Sequence, residues 1–150
     1  MDIDIRIATA IDLPDLLELD AECFPSGHAD LQPAAPGEIE SGIQDKTIFV
    51  AMSRNKVVGM LQFEKISFDN WELLSLAITS AQRGRGIGKA LLDTLFAELS
   101  RSPSLVTVSC LTSPNNGVMQ GLLGSFGFVQ VAVLPNHFGP GKHRLKLQLN

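Results

Sequence analysis

Gln82-Arg83-Gly84-Arg85-Gly86-Ile87-Gly88-Lys89 decides the reading of this chain, because it joins an apolar run to a stretch of helical period. Before it, Trp71 to Ile78 is apolar on both alternating faces apart from Glu72 and Ser75, the pattern of a central strand covered on both sides. After it, Ile87, Leu91, Leu95 and Leu99 form one stripe with Lys89, Asp93 and Glu98 off it, so Gly86 to Ser100 is expected as an amphipathic helix. Three glycines between a strand and a helix let main-chain N–H groups converge without side-chain obstruction, and the unpaired N–H groups of the helix start add partial positive charge. A diphosphate is the group that such a cradle suits. Arg83, Arg85 and Lys89 supplement the field at its rim.

Spacing separates the phosphate motifs that this loop resembles at first sight. A Walker A loop needs glycine where Arg83 stands and a magnesium-binding hydroxyl where Ala90 stands. A dinucleotide fingerprint starting at Gly84 needs glycine at Lys89, and it belongs after a first strand rather than midway along a chain. The pattern that remains is R-x-x-G-x-G, filled by Arg83, Gly86 and Gly88.

Working outward, Ile3, Ile5 and Ile7 alternate as in a half-buried strand, and Asp12 with Pro14 opens a helix reaching about Cys23. Phe24 to Pro36 carries three prolines and is expected as a loop, followed by a short helix from Gly37 to Gln44. Thr47 to Met52 and Val57 to Ile66 flank Ser53-Arg54-Asn55-Lys56 as a hairpin. Beyond the long helix, Val106 and Val108 mark a strand. Asn115 or Asn116 caps a helix ending near Gly127, and Phe128 to Leu134 and His143 to Leu149 complete the pattern as strands. The 150 residues suit one domain spanning 1–150, and 45% hydrophobic with 19% charged residues is an ordinary globular balance.

A net charge of −4 argues against a duplex nucleic-acid partner and favours a cationic small substrate. No stretch approaches the roughly 18 apolar residues of a membrane span, and Met1 to Arg6 lacks a basic-then-apolar leader, so no membrane and a cytoplasmic address are expected. Cys23 and Cys110 are expected as buried free thiols, with no metal site. The acids Glu18, Asp20, Glu22, Glu38 and Glu40 have the charge to attract an amine, but solvated helix faces explain them more cheaply. Glu72 differs from them: it is the only acid within the buried run, where desolvation raises a carboxyl toward the range of a useful general base.

The loop and its strand-to-helix context resemble the GNAT superfamily of N-acetyltransferases, and the resemblance covers nearly the whole chain. It implies an α/β fold, a mixed, mostly antiparallel sheet of six to seven strands with helices on both faces. It also implies acetyl-CoA as co-substrate, with no metal. By resemblance Gly84, Arg85, Gly86, Ile87, Gly88 and Lys89 hold the pyrophosphate, with Arg83 at its head. Leu76, Ala77 and Ile78 are similar to the family's bulged strand segment along the pantetheine arm. Asn116, ahead of Gly127-Phe128, matches a further pantetheine contact. Glu72, four residues before Leu76, stands where histone-type members carry their general base.

The implied acceptor is a small-molecule or peptide amine, and the chain is expected as a monomer or homodimer. The family's usual general-acid tyrosine falls at Leu123, in a chain without any tyrosine. Cys23-Phe24-Pro25 and the loop Pro135 to Gly139 are similar to the ribosomal-protein N-alpha branch, whose second-strand glutamate falls at Leu111. His137, in that loop, is the available imidazole near the expected acceptor side. The alternative class is an acyl-CoA-binding regulatory module without transferase activity.

Overall fold

A computed structural model describes residues 2–28 and 30–150, so the loop expected from Phe24 to Pro36 includes one position, Ala29, outside the described residues. Seven strands form one sheet: β1 (Asp4–Ile7), β2 (Ile48–Ser53), β3 (Lys56–Ser67), β4 (Asn70–Ile78), β5 (Thr107–Thr112), β6 (Val129–Leu134) and β7 (Arg144–Leu149). Their order is β1-β2-β3-β4-β5-β7-β6. Every neighbouring pair is antiparallel except β4 with β5, which run parallel. Four α-helices accompany them: α1 (Leu13–Cys23), α2 (Glu38–Asp45), α3 (Ile87–Leu99) and α4 (Gly117–Ser125). The element order is the expected one, with short 3-10 turns added before α1 and α3.

The local chemistry explains the joints. Arg54 and Asn55 both take positive φ, at 51° and 62°, which gives the β2–β3 hairpin the twist of its strands. At the entrance to α1, Asp12 accepts the Thr9 N–H at 2.8 Å and pairs with both terminal nitrogens of Arg6 at 2.7 and 2.9 Å. That pair ties the first strand to the first helix, and it holds the Asp12 carboxyl below its ordinary range, chiefly through Arg6.

The sheet buries a core on each face. One face packs Leu61, Phe63, Trp71, Leu73, Val108 and Leu147 against Ile87, Leu91, Leu92 and Leu95 of α3 and Leu123 of α4. Phe63 stacks between Phe49 and Trp71, with ring centroids 5.7 and 5.2 Å apart. The other face packs Val50, Met60 and Ala77 against Leu16 and Leu19 of α1 and Ile39 of α2. No helix among the described residues is long and apolar enough to cross a membrane.

Helix α2 lies unusually close to the sheet at Gly42, where an added Cβ would overlap the Gln62 side-chain nitrogen and come within 2.8 Å of Ile48. Gly42→Ala gains about 1 kcal/mol in helix propensity but must displace both neighbours, at a cost of about 1–3 kcal/mol. The overpacking should win, lowering the urea midpoint without changing the slope, and a midpoint at or above wild type would contradict so close a contact.

Asp12 gives a pH-dependent prediction. A carboxyl held below its unfolded value of about 3.9 stabilises the fold above that pH and loses the contribution as pH falls through its folded value. Asp12→Asn should therefore lower Tm by roughly 2–6 °C at pH 7. The difference should shrink steadily below pH 4.

Candidate active site

Strand β4 carries an extra residue at its centre. Phe63 pairs with Leu73 and Gln62 with Ser75, so Leu74 has no partner on β3 and forms a β-bulge. Because side chains alternate along a strand, the bulge flips the pattern: Trp71 and Leu73 face the α3 side, and so do Leu76 and Ile78 beyond it. The same point ends the pairing on the other edge. Strand β5 matches β4 only from Asn70↔Thr107 to Leu73↔Cys110. From Leu74 to Ile78 that edge of β4 is unpaired, and the two strands diverge into a notch. The bulge thus lies just ahead of the Leu76 to Ile78 segment where the family resemblance put it.

The glycine loop follows at the end of this free edge. Gly84 and Gly86 have φ of 79° and 82°, a conformation that side-chain-bearing residues avoid, and open space surrounds both. Gly88 has a different reason: it is helical, and an added Cβ would lie 3.3 Å from Leu122 and 3.7 Å from Leu76. Gly86 caps α3, its carbonyl taking the Ala90 N–H. The N–H groups of Ile87, Gly88 and Lys89 therefore have no partner within the helix. Arg83 points back rather than outward, donating to Ile78 O at 3.0 Å and approaching the Cys23 sulfur at 3.5 Å. Lys89 pairs with Asp93 at 3.0 Å, whereas Arg85 is exposed and makes no side-chain hydrogen bond among the described residues. Asn116 caps α4 by accepting the Met119 N–H at 3.0 Å.

A cavity of about 420 Å³ opens at the notch, walled by Leu74, Ser75 and Leu76 of β4 and by Cys110 to Ser113 of β5 and the turn after it. Phe24, His28 and Asp30 to Ala34 roof it. Asp30 pins the roof: its carboxylate accepts from Ser113 Oγ at 3.1 Å and Asn115 Nδ2 at 2.7 Å, and its carbonyl accepts from Arg144 at 2.9 Å. The Asn115 bond first, then the Ser113 bond and the charge of Arg144, hold the Asp30 carboxyl below its usual range against burial.

Acid groups gather on the α2 side. Asp20, only 8% exposed, accepts the Ala34 N–H, and burial raises its carboxyl. Glu38 also lines the cavity; burial raises it, an Ala35 hydrogen bond opposes this, and the charges of Asp20, Glu64 and Glu72 add to the rise. Glu72 lies on the same face, opposite Glu64 of β3 and Ser109 of β5. Burial first, then Glu64, raises its carboxyl against the pull of Lys146 and His137. Two buried polar atoms close by, Gln62 Oε1 and Ser75 Oγ, find no hydrogen-bond partner among the described residues. Gln62 and Ser75 are cross-strand neighbours at the bulge.

Most of the expected site residues meet around the notch. Leu76 and Asn116 line the cavity, Ala77 and Ile78 continue the free edge, and the 84–89 loop follows on. Glu72 stands beside the cavity rather than in its wall, and exposed His137 packs edge-on against Phe138, which does line it. Leu123 is fully buried in the core. The reading of all five helix acids as solvated holds for Glu18, Glu22 and Glu40 but fails for Asp20 and Glu38, which the 24–36 segment folds over. Cys23 is half-buried and Cys110 buried, both free, with burial pushing Cys110 up to about 12. Among the described residues no group of three or more His, Cys, Asp or Glu side chains is placed to hold a metal ion.

Comparison with known proteins agrees with this geometry. The chain is similar in fold to Ard1 from Thermoplasma volcanium, at 21% identity and a TM-score of 0.84 over 99% of this chain and 97% of that one. Arabidopsis thaliana Naa50, in complex with a bisubstrate analogue CoA-Ac-MVNAL, aligns at 17% identity and TM-score 0.85 over 100% and 99%. The structure of yncA from Salmonella typhimurium with its cofactor acetyl-CoA aligns at 19% and 0.80 over 100% and 94%. No protein of curated function matches the sequence. The profile described as Acetyltransferase (GNAT) family, however, matches residues 13–128, which is most of the chain, and the protein therefore belongs to that family.

Proposed function

We propose that this protein moves the acetyl group of acetyl-CoA to a primary amine by direct attack, with Glu72 as general base. The observation that carries the reading is the notch: one free strand edge, ending in a glycine-rich helix start, beside an acid-walled cavity. An extended pantetheine arm adds to the Leu76 to Ile78 edge as a strand would, through main-chain hydrogen bonds. Its pyrophosphate meets the free N–H groups at Ile87, Gly88 and Lys89, in a loop opened by Gly84 and Gly86. Arg85 is the cation free to approach the phosphates, while Arg83 serves by anchoring the loop to Ile78. Asn116, whose oxygen caps α4, keeps its amide N–H groups for the arm. That proteins of this fold hold such ligands, acetyl-CoA in yncA and the analogue CoA-Ac-MVNAL in Naa50, supports a coenzyme A donor.

Transfer needs a neutral amine, a polarised thioester carbonyl and a thiolate leaving group. Main-chain N–H groups released at the Leu74 bulge serve the carbonyl. Gln62 Oε1 and Ser75 Oγ, both buried and unpaired, take hydrogen bonds from an incoming ammonium. Glu72, with its raised carboxyl and the same face as Ser75, removes the proton directly or through water. No side-chain acid stands at Leu123, and none is obligatory, because a thiol of pKa about 8.5 leaves as thiolate. A second reading gives the base role to Glu38, favoured by its place in the cavity wall.

Thiol release from acetyl-CoA across polyamines, amino acids, aminoglycosides and peptide N-termini tests the activity. Glu72→Gln should lower kcat/KM by roughly 10²-fold or more and remove the acid-side limb of its pH profile, since the base works only when deprotonated. If Glu38→Gln does this while Glu72→Gln is silent, the second reading replaces the first. Coenzyme A binding without release to any amine would leave a regulatory acyl-CoA-binding module instead.

A further inference from the structure

Arg144 opens β7 on the same sheet face as Lys146, away from the core side taken by Leu145, Leu147 and Leu149. It is 4% exposed, lines the cavity, and carries a full charge. Two of its N–H groups are used, both on main-chain carbonyls: His143 O at 2.7 Å and Asp30 O at 2.9 Å. A guanidinium has five donors, and among the described residues no carboxylate lies within 4.0 Å of this one. The nearest acid in effect, Asp30, has its two oxygens committed to Ser113 and Asn115. The Phe138 ring covers one side at 5.1 Å. Moving a charge out of water is costly unless it is paired, and burial accordingly pulls Arg144 below its ordinary value.

The same cavity is also lined by the carboxylates of Asp20 on α1, which packs on β3 and β4, and Glu38 on α2, which packs on β2 and β3. Strand β5 separates β4 from β7, so the cavity runs from an acidic end to a cationic end across that strand. A volume of about 420 Å³ is at the small end of ligand pockets. Building on the transfer reading above, we infer that the acceptor is an amino acid, its amine at the bulge of β4 and its carboxylate gripped by the Arg144 guanidinium. The planar fork of arginine matches a carboxylate in two-point contact. A peptide N-terminus presents a neutral amide at that place and leaves the buried cation unpaired.

The test compares free amino acids with their own C-terminal amides in wild type, Arg144→Gln and Arg144→Lys. The free acids should be the better acceptors in wild type by about 10-fold or more in kcat/KM. Arg144→Gln should raise KM for the acids roughly 10- to 100-fold, with the amides and coenzyme A affinity little changed, and Arg144→Lys should recover part of the loss. Equal use of acids and amides by wild type, or an equal loss on both in the variant, overturns the inference and leaves the transfer reading intact. Should no amine be acetylated, calorimetry of wild type with coenzyme A present decides separately. Heat with amino acids but not with their amides sustains the carboxylate site, and heat with neither overturns it.

Discussion

Strands β4 and β5 are parallel neighbours for only four residue pairs, and the candidate site depends on their parting. One added residue, Leu74, turns the side chains of β4 over and releases its edge from the ladder just where β5 ends its match. A continuous parallel pair would seal that edge with hydrogen bonds and close the cavity. The bulge also explains the distribution of residue types along β4. Leu76 and Ile78 join the α3 core despite their changed parity, while Glu72, Ser75 and Ala77 share the face toward α1 and α2. The glycine loop follows the free edge after the Ser80–Gln82 turn, where the Gln82 and Ser80 N–H groups are taken by Thr79 and Glu22, so two separate sets of donors face the notch, one on the strand and one at the helix start.

The second determinant is how the polar face of the sheet is covered. Helices α1 and α2 stop at the β4 side, leaving β5 and β7 to the 24–36 segment and the β6–β7 loop. Two polar ties hold these loops in place: Asp30 to Ser113, Asn115 and Arg144, and Lys142 to Gln32 at 3.1 Å. Burial is the first cause that raises the carboxyls of Asp20, Glu38 and Glu72; the charges of Asp20, Glu64 and Glu72 add to it at Glu38, and that of Glu64 at Glu72. Helix α2 is held in place by a second device, the Gln62 side chain donating to Glu38 O at 2.9 Å beneath the close contact at Gly42.

Elements with strong period were legible from the sequence. Alternation in Ile3, Ile5 and Ile7, the stripe through Leu91 and Leu95, and the Asn116 cap each fixed an element to within a residue or two. The loop Gly84 to Gly88 was legible because glycine is the residue that most readily supplies left-handed positions at 84 and 86 and a close helix packing at 88. The bulge was not legible, since an inserted residue in an apolar run leaves no mark on composition. Nor were the roles of Glu38 and Arg144 in the cavity wall. Each looks like a solvated charge beside a loop, and the fold-back of the chain around Asp30 buries Arg144 and half-buries Glu38. Burial that comes from an irregular loop carries no periodic signal.

The claim on which the account rests is that coenzyme A lies along the free edge of β4 and ends on the amides of the glycine loop. Titration with coenzyme A, followed by backbone amide resonances, addresses it residue by residue. Large shifts confined to Leu74 to Ile78, Gly84 to Lys89 and the start of α4 are predicted. Saturable shifts that leave the 84–89 amides unmoved, or no shifts at all, would contradict it.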